Sequence, residues 1–202
     1  YEIGKIVHTA VYDQYSKKQS YKDPLQLQKD LEYALESKID KTSEIQRYFI
    51  DLQKTKMKGF SSCDVEHFND GWVVDSCEKS MECEFAGMKL VGQIDRLDKR
   101  GDELYVIDYK TGKYPVYTKK NFTEATDFQL EFYYLLVKDQ AKHIRCAYYD
   151  LNENKLVEEP FLEEKLAVLE SNIKDMLARD EINFEKTEDE KNCLFCEYKI
   201  IC

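Results

Sequence analysis

The chain has 202 residues, of which 43% are hydrophobic and 35% are charged, and its formal net charge is −10 at pH 7. This length can bury the core of one domain, and the composition is typical of a soluble globular protein. No apolar run approaches the ~20 residues of a membrane span and no signal peptide is visible, so we expect a cytoplasmic protein rather than a membrane protein. The acidic balance argues against tight DNA binding by this chain alone, because phosphates are normally bound by Lys and Arg.

The first part of the chain, residues 1–70, is predicted to be helical. Between Glu2 and Lys18, apolar residues recur at helical spacing. On this helix His8 follows Gly4 by one turn. Taken alone, this histidine fits a partly buried or a solvated position.

Two further helices are predicted in the same part. Asp23-Pro24 combines a capping residue with a proline that suits a first helical turn. Thr42-Ser43-Glu44 opens the third helix, which is predicted to end in the basic stretch Lys54–Gly59. His67 then falls in a loop and is assigned no role.

Residues 71–162 are predicted to form a sheet. Trp72–Ser80 and Met81–Phe85 favour strand structure, and Ala86-Gly87 leads into a hairpin centred on Gly101-Asp102. Apolar and aromatic residues on both sides of this turn favour its two strands. They are Leu90, Val91, Ile94 and Leu97 before the turn and Tyr105, Val106, Ile107 and Tyr109 after it.

The Gly101-Asp102 turn sets the register of this hairpin. Glycine in the first central position suits a two-residue type II′ turn, which places Asp95 directly opposite Asp108. Side chains alternate along a strand, so Lys110 shares a face with Asp108. Two carboxylates and an ammonium group are therefore predicted to converge on one patch.

Opposed like charges destabilise a sheet, so a compensating divalent cation is one interpretation of this patch. Mg²⁺ is usually held by one or two carboxylates with waters and phosphate oxygens, and a nearby lysine can orient or deprotonate a metal-bound water. The alternative is an exposed, solvated hairpin in which Lys110 pairs with Asp108 or Asp95.

An upstream glutamate could add a further acidic group. The pattern does not distinguish between Glu78, Glu82 and Glu84.

A helix is predicted over Thr126–Lys138, with Gln129 and Tyr133 one turn apart on one face. Taken alone, these residues fit a surface glutamine and a core tyrosine. A strand, a turn, a partner strand and a helix are predicted after it, at Ile144–Asp150, Asn152–Asn154, Lys155–Phe161 and Glu163–Ala178. This order suits one α/β domain with a mixed central sheet flanked by helices, preceded by the N-terminal helical segment and closed by residues 163–202.

Seven cysteines without a secretory signal indicate a reducing compartment. Cys193, Cys196 and Cys202 close the chain at a spacing that is typical of a metal or cluster site. Structural zinc would need a fourth ligand, often histidine, and no histidine follows; reduced free thiols are the other interpretation. The chain begins at Tyr1 rather than Met, so we expect it to be a piece of a longer protein.

Four motifs taken together resemble the RecB-type nuclease branch of the PD-(D/E)xK superfamily. They are Gly4-x-x-x-His8, Gly92-x-x-Asp95-Arg-x-Asp98, Asp108-Tyr-Lys110-Thr-Gly112 and Gln129-x-x-x-Tyr133. The resemblance implies a restriction-endonuclease-like core that cleaves DNA with Mg²⁺ or Mn²⁺. It implies that the metal is bound by His8, Asp95 and Asp108, and that Lys110 positions or activates the attacking water. Gln129 and Tyr133 are implied to face the active site and to contact DNA or the surroundings of the metal.

The closing cysteines resemble the iron–sulfur staple of AddB-type helicase–nuclease subunits and of CRISPR spacer-acquisition nucleases. In both, one more cysteine precedes the Gly-x-x-x-His helix, a position that this chain lacks because it starts three residues before Gly4. The resemblance implies a [4Fe–4S] cluster on Cys193, Cys196 and Cys202 in the full-length protein. In this piece the fourth ligand is either absent or replaced by another cysteine. The candidates are Cys63, Cys77, Cys83 and Cys146.

The expected function is that of a metal-dependent deoxyribonuclease, an exonuclease rather than an endonuclease, within a helicase–nuclease that acts in double-strand-break repair and recombination. DNA and a helicase domain or subunit are the expected partners. Two alternatives stand beside it: a CRISPR spacer-acquisition exonuclease, and a catalytically silent nuclease-like DNA-binding module. The acidic metal site would account for part of the net charge, and partners in a larger machine would supply much of the DNA binding.

Overall fold

The computed structural model describes residues 2–40, 42–181, 193, 194 and 196. The helices are α1 (Glu2–Tyr15), α2 (Pro24–Glu36), α3 (Glu44–Asn69), α4 (Gln129–Val137) and α5 (Leu162–Leu177), and a short 3-10 helix (Phe122–Glu124) precedes α4. The strands are β1 (Val73–Phe85), β2 (Met88–Arg100), β3 (Glu103–Lys110), β4 (His143–Asp150) and β5 (Lys155–Glu158). None of the described helices combines the length and the apolar content that crossing a lipid bilayer requires.

Two predicted helix starts are confirmed. The Asp23 side chain accepts a hydrogen bond from the N–H of Leu25 at 2.9 Å, directly before Pro24 opens α2. The Ser43 side chain accepts one from the N–H of Gln46 at 3.3 Å at the start of α3. Each bond satisfies one of the N–H groups that the first turn of a helix leaves without an internal partner.

The predicted end of the third helix is wrong, because α3 continues past Gly59 to Asn69. Phe60 and Phe68 are buried on the inner face of this extension. That apolar face outweighs the cost of a glycine in a helix interior, which is about 1 kcal/mol. His67 is therefore helical and buried rather than part of a loop.

The five described strands form one mixed sheet in the order β1-β2-β3-β4-β5. β3 and β4 pair in parallel, and the other neighbours are antiparallel. α4 lies in the crossover connection that parallel neighbours require. This mixed sheet, its flanking helices and the helical segment before it confirm the predicted restriction-endonuclease-like fold class.

The central hairpin has the predicted register. Its ladder runs from the pair Arg100–Glu103 to the pair Arg96–Ile107. Gly101 has a φ of +58°, as the first central residue of a type II′ turn requires. Asp95 and Asp108 are the next residues beyond the last pair, so the hairpin brings them side by side.

Apolar side chains pack on both faces of the sheet. One cluster lies between the sheet and α1–α3, and the other lies under α4. β3 contributes Ile107 and Tyr109 to the first cluster and Leu104 and Val106 to the second, as strand alternation requires. Asp108 follows Leu104 and Val106 in the alternation along β3, so its side chain lies on the same face of the sheet, toward α4.

A buried ion network joins α3 to the sheet. The guanidinium group of Arg96 contacts Asp64 Oδ2 at 2.6 Å and the two carboxylate oxygens of Asp98 at 2.6 and 2.7 Å. His67 Nε2 lies 2.8 Å from Asp98 Oδ2, and the His67 ring stacks on Trp72 with the centroids 5.3 Å apart. Burial alone would raise the pKa of Asp98, but Arg96 and His67 lower it below its ordinary value.

Removing the arginine would leave two buried carboxylates without their cation. We predict that Arg96→Met lowers the free energy of unfolding by about 3–5 kcal/mol, measured by urea denaturation at neutral pH. Arg47→Met is the matched control, because Arg47 is exposed on α3 and is 4.0 Å from Glu44; it should cost about 0–1 kcal/mol. An equal decrease in the free energy of unfolding in the two variants would show that the network does not stabilise the fold.

Candidate active site

The predicted site residues come together at the end of β3, where four elements meet. His8 of α1 and Asp95 of β2 form one group. Asp108 and Lys110 of β3 and Gln129 of α4 form the other. The hairpin register makes the two groups neighbours.

The backbone of Tyr109 holds both members of the first group. Its N–H donates to Asp95 Oδ2 at 3.1 Å, and its carbonyl oxygen lies 3.1 Å from His8 Nε2. His8 Nδ1 faces the same Asp95 oxygen at 3.3 Å. When Nε2 donates to the carbonyl, the lone pair of Nδ1 points toward Asp95. A backbone bond of this kind commonly orients a histidine that binds metal.

Gln129 joins the members of the second group. Its Nε2 donates to Asp108 Oδ1 at 2.7 Å, and its Oε1 accepts from Lys110 Nζ at 2.6 Å. Lys110 Nζ also forms an ion pair with Asp108 Oδ2 at 2.7 Å. Tyr133, one turn along α4, accepts a further bond from Gln129 Nε2 at 3.0 Å. α4 begins at Gln129 itself, later than the predicted Thr126, so the glutamine lies at the helix end nearest the sheet residues it contacts.

Both carboxyl groups are unfavourable as anions in this setting. Burial raises the pKa of Asp95, although His8 and the Tyr109 N–H act in the opposite direction. Burial and the neighbouring charge of Asp95 raise the pKa of Asp108 to about 6, against the opposing effect of Lys110. A divalent cation beside two such carboxylates would remove this cost.

One upstream glutamate joins the site, and it is Glu78. One ligand atom each from Glu78, His8 and Asp95 lie within 4.8 Å of one another. The three side chains line a cleft of about 700 Å³ beside α1. Glu82 and Glu84 are exposed and do not belong to this group. An ideal strand places all three glutamates on one face, so sequence alternation could not distinguish them.

The predicted cluster ligands lie only partly within the described residues. Cys202 is outside them, whereas Cys193 and Cys196 are partly exposed, and the Cys196 N–H donates to the Cys193 carbonyl at 3.4 Å. The four cysteines considered as replacements pack in or against the apolar clusters. In the described part of the chain none of them joins a group of three metal-binding side chains. They are Cys63, Cys77, Cys83 and Cys146.

The ionisation of Asp108 opposes folding of the metal-free protein. Its pKa is about 6 in the folded chain and about 3.9 in an unfolded one, so stability is lost as the pH rises through this interval. We predict that Asp108→Asn raises the free energy of unfolding at pH 7.5 by about 1–2 kcal/mol, and that the gain vanishes below about pH 4. Denaturant unfolding in EDTA at both pH values measures this.

Asp175→Asn is the control for that measurement, because Asp175 is exposed on α5. This variant should show no gain that depends on pH. A loss of stability at pH 7.5 in Asp108→Asn would show that the carboxylate supports the fold instead of opposing it.

The comparisons with known proteins agree with the site geometry at the level of the family. The sequence profile of the PD-(D/E)XK nuclease superfamily matches residues 1–202. No curated protein matches the chain. Among solved structures, one titled "Crystal structure of SSO0001" is 14% identical over 99% of this chain and 84% of that chain, with a TM-score of 0.33, which is too low to carry an argument. Because the family match spans the whole chain, this chain belongs to the PD-(D/E)XK nuclease superfamily, whose members use divalent metals.

Proposed function

We propose that this chain is an active, divalent-metal-dependent deoxyribonuclease that hydrolyses phosphodiester bonds. The observation that carries the proposal is the convergence of His8 and Asp95 with Asp108 and Lys110 at the end of β3, in a member of a nuclease superfamily. A catalytically silent DNA-binding module would have no use for two neighbouring carboxylates that are costly to ionise. The arrangement therefore favours an active enzyme.

His8, Asp95 and Asp108 would hold one or two Mg²⁺ or Mn²⁺ ions. Carboxylate oxygens are the ligands that these ions prefer, and the neutral imidazole of histidine is the commonest metal ligand in proteins generally. A bound ion would acidify a coordinated water and stabilise the charge that develops on the phosphate. The protein orients the ligands in advance, because the Tyr109 backbone fixes both His8 and Asp95.

Lys110 would position or activate the attacking water. Its ammonium group is held by Asp108 and Gln129, so a flexible side chain is already ordered at the site. Gln129 also holds the other oxygen of Asp108. Tyr133, bonded to Gln129, would continue this face of α4 toward the DNA.

The proposed setting is a cytoplasmic helicase–nuclease in which this domain acts as an exonuclease during double-strand-break repair. The resemblance of its motifs and of its closing cysteine spacing to AddB-type subunits supports this role. The net charge of −10 also suits a domain that leaves most of the phosphate contacts to a helicase partner.

We predict that the protein degrades linear DNA in Mg²⁺ or Mn²⁺ and that Asp108→Ala or Lys110→Ala slows this by about 10²–10⁴-fold. Each variant should stay folded by circular dichroism, because neither change removes apolar packing. Lys174→Ala is the matched control, since Lys174 is paired with Glu170 on α5, and it should cleave as the parent protein does.

Two further arms of the assay make it decisive. Cleavage that persists in EDTA would contradict the metal dependence, and undiminished cleavage by folded Asp108→Ala would end the assignment of this site. Covalently closed circular DNA has no ends, so an exonuclease should leave it intact. Equal rates of cleavage on circular and linear DNA would show that the protein is an endonuclease and not an exonuclease.

We also propose that Cys193, Cys196 and Cys202 hold three corners of a [4Fe–4S] cluster in the full-length protein, with a structural role. Their spacing supports this. The sequence Glu185–Lys191 is polar and charged, with little apolar surface to anchor this end of the chain.

A protein extended upstream of Tyr1 and purified anaerobically should be coloured and contain about four iron and four sulfide per chain. Cys196→Ser should lose both, while Cys146→Ser, a change in the apolar cluster under α4, should keep them. A colourless extended protein with stoichiometric zinc would contradict the cluster.

A further inference from the structure

β1 is irregular at Glu78. The pairs Cys77–Arg96 and Lys79–Ile94 flank this residue, and Glu78 itself has a φ of +50°, in the left-handed region. A side chain other than glycine is disfavoured there and persists only where its surroundings enforce it. The amide nitrogen Nε2 of Gln93 donates to the Glu78 carbonyl at 2.9 Å and holds this conformation.

The Glu78 carboxylate lies in the cleft beside α1 without a partner of its own. Within the described part of the chain it makes no hydrogen bond or ion pair, although one of its oxygens is within 4.8 Å of ligand atoms of His8 and Asp95. In the described part of the chain, this acidic group thus lies close to the Asp95 carboxylate without a direct hydrogen bond or ion pair of its own.

A structural role does not explain a glutamate at this position. Glycine would adopt the same φ without strain. Glu82, on the same strand, has regular backbone and pairs with Lys89 at 2.8 Å on the surface. The backbone conformation does not require a carboxylate at position 78, since Ala86 and Asn154 have similar φ values without one.

We infer that Glu78 is a further ligand of the divalent cation, shared with His8 and Asp95. This inference rests on the proposed nuclease function and adds to its metal site a ligand from β1. One imidazole and two carboxylates within 4.8 Å of one another are spaced to surround a single Mg²⁺ or Mn²⁺. Asp108 is not one of these three side chains, so a second ion, if one binds, would be held by Asp108 and would share Asp95 with the first.

The test is a calorimetric titration of the DNA-free protein with Mn²⁺. Glu78→Gln keeps the size of the side chain and removes its charge, so it should weaken Mn²⁺ binding by about tenfold or more, or remove one of two ions. Glu82→Gln makes the same charge change on the same strand and should bind as the parent protein does. Parental affinity and stoichiometry in folded Glu78→Gln would overturn the inference.

Asp95→Asn in the same series separates this inference from the proposed function. If Asp95→Asn loses Mn²⁺ binding and Glu78→Gln does not, only the role of Glu78 is wrong. If neither change affects binding, the proposed metal site itself fails. Glu78→Gly, which suits the positive φ, provides a second variant that should fold and should show the same loss as Glu78→Gln; parental binding in Glu78→Gly would equally overturn the role of Glu78.

Discussion

The buried charge of Arg96 is the constraint on which the rest of the molecule depends. Its guanidinium group is held by Asp64 of α3 and Asp98 of its own strand, and it donates to the Tyr109 hydroxyl of β3 at 3.2 Å. Tyr15 of α1 donates to the same Asp64 carboxylate. A cation removed from water is tolerated only when its hydrogen bonds are satisfied in this way. One side chain therefore fixes two helices and two strands relative to each other.

Tyr109 links this buried network to the candidate active site. Its hydroxyl belongs to the Arg96 network, while its backbone binds His8 and Asp95. The Arg96 network and the site at the end of β3 differ in their charge balance. Around Arg96 the anions are neutralised by buried partners, whereas Asp108 keeps a raised pKa despite its lysine. The excess negative charge at the end of β3 is what makes this end of the sheet, and not the core, suited to a metal ion.

The hairpin could be predicted because it depends on local signals. The Gly101-Asp102 turn and the alternation of side chains are enough to bring Asp95 beside Asp108. The burial of His67 could not be predicted, since its carboxylate partner lies 31 residues away and α3 continues past a glycine. Glu78 could not be selected either, because alternation places all three upstream glutamates on one face and does not encode the left-handed φ of Glu78.

The contact between α1 and β3 joins distant parts of the chain, since His8 and Tyr109 are 101 positions apart. The hairpins β1–β2 and β2–β3, in contrast, close over two-residue turns. The entropy lost on closing a loop grows with its length, so the three-stranded meander can form before the N-terminal helix docks. If α1 detached locally, His8 would leave the site while Asp95 and Asp108 stayed in the folded sheet. Docking of one short helix would then complete or dismantle the proposed metal site while the sheet stays folded.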